Sequence, residues 1–183
     1  GLPQVVRRVA AGKGAGPSLG GRTRSGRTDR VRLLLTPPSH AYLRIAEGCD
    51  HACAFCAIPS IRGPLRSKPL GLLLEEARGL LAMGVRELVL VAEDTTAWGK
   101  DLRAEKRRLP DLLAALDGLP GLVWVRVLYG HPGSVDGALL EALASLPRVA
   151  PYLDLPIQHI DPAVLAAMRR GGGKRLEALL HRI

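Results

Sequence analysis

Segments of strand character alternate with segments of helix character from residue 33 onward, and this alternation restricts the fold more than any other feature of the sequence. Four apolar runs of strand length are each followed by a segment with helical spacing. Because parallel strands buried on both faces are joined by helical crossovers of fixed hand, the pattern predicts an α/β fold with a parallel sheet and about four βα units. Four units make half of an eight-unit barrel or most of an open doubly wound sheet. The predicted strands are "AYLRIAE" (41–47), "ELVLVAE" (87–93), "LVWVRVLYG" (122–130) and "APYLDLPIQH" (150–159).

Helix boundaries are indicated by capping residues and by prolines at first turns. The first helix is predicted to bury one apolar face and to end at a glycine, and the third and fourth helices begin at side-chain caps. The apolar face consists of Leu73, Ala77, Leu80 and Leu81. The predicted terminal residues are Gly84, Pro110, Ser134, Asp161 and Pro162.

Residues 1–32 differ in composition from the rest of the chain. They hold eight Lys and Arg residues against Asp29, which accounts for +7 of the net charge of +9. Rich in Gly, Ser and Arg and without an apolar period, this segment is predicted to be a basic linker or tail, with residues 33–183 as the folded domain. An RNA- or ribosome-contacting arm and a transit peptide are the alternatives. No apolar run has the length of a membrane span and no signal-peptide pattern is present, so we expect a cytoplasmic protein without a membrane partner.

The ends of the predicted strands carry the polar and reactive residues. The three cysteines follow the first strand, residues 93–96 follow the second, residues 130–134 the third and residues 155–159 end the fourth. Because the carboxyl ends of parallel strands meet at one side of a sheet, we expect one shared opening that collects all four segments.

All three cysteines of the chain, Cys49, Cys53 and Cys56, lie within "GCDHACAFC". An odd number of clustered cysteines is a poor basis for a disulfide framework. A structural zinc site needs four ligands, so His40, His51 or Asp50 would have to complete it. A cubane iron–sulfur cluster held by three thiolates leaves one iron open to another ligand. Both metal sites remain open at this point.

The motif "CDHACAFC", a C-x3-C-x-aromatic-C pattern after a first strand, resembles the signature of the radical S-adenosylmethionine enzymes. The resemblance implies a partial (β/α) barrel in which Cys49, Cys53 and Cys56 bind three irons of a 4Fe-4S cluster. It also implies that the fourth iron binds the methionine part of S-adenosylmethionine. In that family an electron from the cluster cleaves this cofactor to a 5′-deoxyadenosyl radical, and an electron donor is therefore an implied partner.

Further along the chain, "IPSIRGPLRS", "ELVLVAEDTTAWG" and "PYLDLPIQH" resemble the methylthiotransferases of this superfamily, most closely those that act on an aspartate of a small-subunit ribosomal protein. The reaction so implied replaces a β-hydrogen of that aspartate with a methylthio group. Complete members have a second 4Fe-4S cluster in an N-terminal domain, the rest of the barrel and a C-terminal β-domain. With three cysteines this chain is expected to bind one cluster and not to complete the reaction alone. A tRNA methylthiotransferase and a zinc-stabilised ribosome- or RNA-binding module are the alternative functions.

Beyond the cysteines, polar residues at the strand ends are candidates for cofactor contacts. Helix capping or plain solvent exposure is the alternative role for each. Glu93 stands where the family commonly has Gln. His51 is expected to face solvent, His131 to be a turn residue, and residues 169–175 to break a helix. The cofactor-binding candidates are Glu93, Asp94, Thr95, Gln158 and Arg62.

Overall fold

The computed structural model describes residues 34, 37, 39–170 and 173–183, and a parallel three-stranded sheet lies at their centre. The first strand, β1 (His40–Arg44), is followed by an antiparallel pair, β2 (Ala46–Glu47) and β3 (Arg66–Ser67). The other two strands of the parallel sheet are β4 (Glu87–Val91) and β5 (Trp124–Val127), and β4 lies between β1 and β5. The helices are α1 (Ile58–Arg62), α2 (Leu70–Ala82), α3 (Leu109–Asp117), α4 (Gly137–Ser145), α5 (Pro162–Ala167) and α6 (Gly173–Leu180).

One face of the sheet is covered by helices, and the other face is partly exposed among the described residues. Leu43 of β1 and Leu90 of β4 are buried, whereas Tyr42 of β1 is 47% exposed on the opposite face. Helix α2 packs against β1 and helix α3 against β5, so the helices lie on the side of the buried residues. This arrangement of parallel strands backed by helices is the α/β fold predicted from the sequence. The predicted apolar face of α2 is buried as expected and comprises Leu73, Ala77, Leu80 and Leu81.

The predicted fourth strand at residues 150–159 is not a strand. Val149 forms a single parallel bridge with Val125, and the residues that follow are irregular. Pro151 and Pro156 have no amide hydrogen, so a continuous ladder beyond Val149 would lack donors. The segment nevertheless lies beside β5, because the amide of Gly130 donates to the carbonyl of Asp154 at 2.9 Å.

Helix termini agree with the sequence in most cases. Gly84 follows α2 with a φ of +94°, and the carboxylate of Asp161 accepts hydrogen bonds from the first-turn amides of α5. The third helical segment begins later than predicted, because the cap is Asp136 and not Ser134. Ser134 belongs instead to a 3-10 turn at Pro132–Ser134, which the ring of Pro132 favours.

The predicted basic linker at residues 1–32 lies outside the described residues, so the division from residues 33–183 stays a prediction. Among the helices that the structure describes, none combines the length and apolar character needed to cross a membrane.

Candidate functional site

The cysteine loop begins at a glycine that no other residue could replace without a shift of the backbone. Gly48 has a φ of +77°, and a Cβ atom placed on it would lie 2.2 Å from the carbonyl oxygen of Pro64. The amide of Cys49 donates to the carbonyl of Gly63 at 3.1 Å. The start of the loop is therefore held closely against residues 63–64.

The middle of the loop contacts the C-terminal end of α5. The amide of Ala54 donates to the carbonyl of Met168 at 2.9 Å. The guanidinium of Arg170 places Nη1 3.7 Å from Sγ of Cys53 and donates through Nη2 to the carbonyl of Pro156 at 2.6 Å. Residues 117 positions apart in the sequence are thus joined at the site.

All three cysteines line one cavity at the carboxyl end of the sheet, and all three are free thiols. The loops after β4 and β5 and the segment after Val149 complete the lining. This is the shared opening predicted from the strand ends. The residues contributed by these three segments are Glu93, Asp94, Tyr129, Gly130, His131 and Pro156.

A polar network joins the cysteine loop to the ends of β4 and β5. Nε2 of His51 lies 2.7 Å from Oδ2 of Asp94, whose other oxygen accepts a hydrogen bond from the hydroxyl of Thr96. The ring of His51 stacks on that of His131 with centroids 3.9 Å apart. Burial raises the pKa of Asp94, but the hydrogen bonds from His51 and Thr96 outweigh it, so the net pKa is lowered. Asp94 is therefore an ionised anchor for His51.

His131 is a neutral hydrogen-bond donor in the cavity wall. Its burial, together with the nearby charges of His51 and Arg170, lowers its pKa to about 4. Nδ1 accepts a hydrogen bond from the amide of Gly133 at 3.1 Å, which places the ring proton on Nε2. Nε2 is buried and has no partner among the described residues, and the same holds for Oε2 of Glu93.

Unpaired buried donors and acceptors each cost about 1–3 kcal/mol, so this cavity suits a bound polar molecule that would pair with Nε2 of His131 and Oε2 of Glu93.

The thiol of Cys49 has a raised pKa. Burial is the main cause, and the hydrogen bond from the amide of His51 only partly offsets it. A metal binding at Cys49 would have to displace a proton from the thiol.

The side chains considered for a zinc site do not complete one with the cysteines. His40 is the first residue of β1 and does not line the cavity, and the other two side chains have partners of their own. His51 pairs with Asp94, and Oδ1 of Asp50 accepts a hydrogen bond from the amide of Leu65 at 2.9 Å. Within residues 39–170 and the other described positions, no three Cys, His, Asp or Glu side chains converge as a single metal ion would require. A cubane cluster has no such requirement, because each thiolate binds a different iron.

Comparisons with known proteins agree with the fold. The family model described as the radical SAM superfamily matches residues 43–182. The chain belongs to the radical SAM superfamily. A solved structure of the radical S-adenosylmethionine methyltransferase TsrM from Kitasatospora setae matches with a TM-score of 0.56 at 17% identity, over 77% of this chain and 28% of that chain. This likeness supports the radical SAM fold.

Curated relatives are similar along most of this radical SAM chain. The ribosomal protein uS12 methylthiotransferase RimO of Syntrophus aciditrophicus is 52% identical over 145 residues, which are 79% of this chain and 32% of the relative. The protein of the same name from Moorella thermoacetica is 46% identical over 171 residues, 93% of this chain and 39% of the relative. The chain therefore spans about a third of the length of these relatives. The resemblance stated from the sequence is confirmed.

Two of the predicted cofactor-contacting residues, Glu93 and Asp94, line the cavity of this radical SAM domain, and three do not. Thr95 is buried behind the wall, where its hydroxyl donates to the carbonyl of Leu128 at 2.7 Å and links the ends of β4 and β5. Arg62 is half exposed, with Nε 3.9 Å from a carboxylate oxygen of Glu93. Gln158 is exposed, with a φ of +68°.

His51, expected to face solvent, has a side chain that is only 34% exposed and pairs with Asp94. Sequence reasoning missed Arg170 altogether, because it treated residues 169–175 as a helix break. It also missed the place of His131 in the wall, although that residue does accept the turn hydrogen bond expected of it. Nothing local in the sequence indicates the contact of Arg170 with Cys53 or that of His131 with His51, because the two residues of each pair are distant along the chain.

Proposed function

We propose that this chain is the cluster- and S-adenosylmethionine-binding part of a methylthiotransferase that modifies the β-carbon of an aspartate in a small-subunit ribosomal protein. The observation that carries the proposal is the convergence of three free cysteines on one cavity at the carboxyl end of a parallel sheet. The curated relatives at 44–52% identity are named ribosomal protein uS12 methylthiotransferases, which favours a protein substrate over a tRNA.

Cys49, Cys53 and Cys56 are the residues that would hold a 4Fe-4S cluster, leaving one iron for S-adenosylmethionine. Once bound, the cluster and S-adenosylmethionine would supply one-electron cleavage chemistry that no side chain provides. The cavity fits these groups, since three free thiols line it together. Phe55, next to Cys56, adds an apolar wall that limits contact of the site with water.

The unpaired groups of the wall are assigned to the polar end of S-adenosylmethionine. Oε2 of Glu93 is a buried acceptor and would take a hydrogen bond from the methionine ammonium. Nε2–H of His131 is a buried donor and would face an acceptor of the bound molecule. Asp94 acts indirectly, because it fixes the ring of His51 against His131. Arg62 lies near the other oxygen of Glu93 and would support its charge, and Thr95 supports the wall. Gln158 does not line the cavity, so its proposed contact with the cofactor has no support from the geometry.

Several partners belong to the same proposal. Three cysteines supply thiolates for one cluster, so a second 4Fe-4S cluster would reside in an N-terminal domain of the longer protein. An external electron donor is needed for the reductive step. The same proposal includes a cytoplasmic location and a contact of the basic residues 1–32 with RNA.

Cleavage of S-adenosylmethionine tests the assignment of the cysteines. The chain is reconstituted anaerobically with iron and sulfide and then reduced with dithionite in the presence of S-adenosylmethionine. We expect 5′-deoxyadenosine and methionine from the wild type and from the surface control His181→Gln, but neither product from Cys53→Ser. Equal product formation by Cys53→Ser would refute the assignment.

The substrate is tested with the full-length protein. We expect mass spectrometry to detect a methylthio group on an aspartate of the ribosomal protein uS12 and none on tRNA. Methylthiolated tRNA without modified uS12 would favour the tRNA-modifying alternative.

A further inference from the structure

Arg170 is the side chain whose N–H groups reach a cysteine sulfur within the described part of the chain. Nη1 lies 3.7 Å from Sγ of Cys53, and Nη2 donates to the carbonyl of Pro156 at 2.6 Å. The same guanidinium lines the cavity. The second hydrogen bond fixes the plane of the guanidinium, so the first is not a chance approach of a mobile side chain.

The backbone around Arg170 explains why its side chain is aimed at the loop. Helix α5 ends in a Schellman motif, in which the amide of Arg169 donates to Ala166 at 2.9 Å and that of Arg170 to Leu165 at 2.9 Å. Arg169 takes the left-handed position of this motif, with a φ of +51°. Because Leu165 is buried, the turn is attached to the packed part of the domain. The backbone at Arg170 is therefore held in place, and this fixes the direction in which its side chain starts.

The turn and the cysteine loop are also joined through the backbone. The carbonyl of Met168 accepts the amide hydrogen of Ala54 at 2.9 Å, one residue from Cys53. Arg170 and Met168 thus contact the central cysteine and its neighbour, while Gly63 contacts Cys49 at the start of the loop. The other N–H group that approaches a cysteine sulfur in the described residues is the backbone amide of His51, 3.4 Å from Sγ of Cys49.

We propose that Arg170 is a positioning residue that fixes the sulfur of Cys53 and raises the reduction potential of the cluster. This inference rests on the proposed function and extends it to the control of electron transfer. Reduction adds one negative charge, and a cationic N–H donor to a ligand sulfur stabilises the reduced form more than the oxidised form.

The chain offers a matched control one residue away. Arg169 is exposed and occupies a left-handed position that glycine adopts freely, so Arg169→Gly removes an equal charge and keeps the turn. Arg170→Gln removes the charge and the strong donor, and Arg170→Lys keeps the charge without the planar pair of N–H groups. Comparison of the three variants separates the contact at Cys53 from a general effect of charge.

The test is a redox titration of the reconstituted 183-residue chain, followed by electron paramagnetic resonance. We expect Arg170→Gln to lower the equilibrium constant for one-electron reduction about tenfold, which is a potential about 59 mV lower. Arg170→Lys should show a smaller fall, and Arg169→Gly should match the wild type. A wild-type potential in Arg170→Gln, or an equal fall in Arg169→Gly, would overturn the proposal.

Hydrogen exchange of the metal-free chain tests the positioning role without any cluster. Arg170→Gln should speed exchange at the amide of Ala54 several-fold, and Arg169→Gly should leave it unchanged. If Arg170→Gln does not take up iron, this exchange rate and the potential of Arg170→Lys decide the question, and wild-type values in both overturn it. A wild-type chain that takes up no iron would refute the proposed function instead, while the exchange experiment would still report on Arg170.

Discussion

Gly48→Ala should damage the cysteine loop more than any comparable glycine substitution. Two costs add at this position. The φ of +77° is strained for any residue with a Cβ atom, at about 1–2 kcal/mol. The new methyl group would also lie 2.2 Å from the carbonyl oxygen of Pro64 and 2.6 Å from that of Gly63, both of them backbone atoms that cannot rotate away. Overpacking of this kind costs about 1–3 kcal/mol, so the total is about 2–5 kcal/mol.

Two other glycines separate these costs. Gly84 has a φ of +94° but nothing within 4 Å of its Cβ position, so Gly84→Ala should cost only the strain of about 1–2 kcal/mol. Gly99 has a φ of +85° and a Cβ position 2.1 Å from the carbonyl oxygen of Arg107, away from the cysteines. Gly99→Ala should therefore destabilise the chain about as much as Gly48→Ala without moving the loop.

The assay combines urea denaturation with iron content after anaerobic reconstitution. We expect Gly48→Ala to lose both stability and iron binding, Gly99→Ala to lose stability while it keeps iron at low temperature, and Gly84→Ala to lose little of either. The reasoning is refuted if Gly48→Ala is no less stable than Gly84→Ala, or if it binds iron as well as Gly99→Ala does.

Two further predictions concern buried charged groups. The pKa of His131 falls from 6.5 to about 4 on folding, so the unfolded chain binds more protons between these pH values. The free energy of unfolding of the metal-free chain should therefore fall by up to about 3 kcal/mol as the pH is lowered from 7 to 4. His51, Asp94, Arg170 and Lys100 face this histidine and are common to all variants. Urea melts should show a flatter pH dependence for His131→Gln than for the surface control His181→Gln, and equal slopes would contradict the assignment. Lys68→Met should cost about 3–5 kcal/mol, because Nζ of Lys68 lies 2.6 Å from a buried oxygen of Glu76 that would lose this partner. Recovery of most of that loss in Lys68→Met/Glu76→Leu is expected, and a loss below 1 kcal/mol in the single variant would show that water already screens the pair.

The sequence was sufficient for those parts of the fold that depend on local patterns. The apolar spacing of α2 and the cap at Asp161 follow from periodicity and from side-chain chemistry, and both are present in the structure. The prediction of a fourth strand was wrong. The apolar residues of this segment fit the pattern of a strand, but Pro151 and Pro156 have no amide hydrogens to donate to a neighbouring strand. The sequence predicts Ser134 as the cap of the helix that Asp136 caps in the structure, since both residues precede an apolar period and only the path of the chain distinguishes them.

Only those site residues that come directly after a strand could be predicted from the sequence. The position of the cysteines, Glu93 and Asp94 follows from the geometry of parallel sheets. The stacking of His51 on His131 and the contact of Arg170 with Cys53 depend on how distant loops fold back over the opening. Such contacts leave no periodic trace in a single sequence, which is why His51 was expected to face solvent.

Metal content after anaerobic purification and reconstitution tests the central claim most directly. If Cys49, Cys53 and Cys56 hold a cubane cluster, the chain should contain about four irons and about four sulfides and should be brown. The substitution Cys56→Ser should abolish or strongly reduce this content. One zinc ion per chain with no sulfide and no colour would contradict the account.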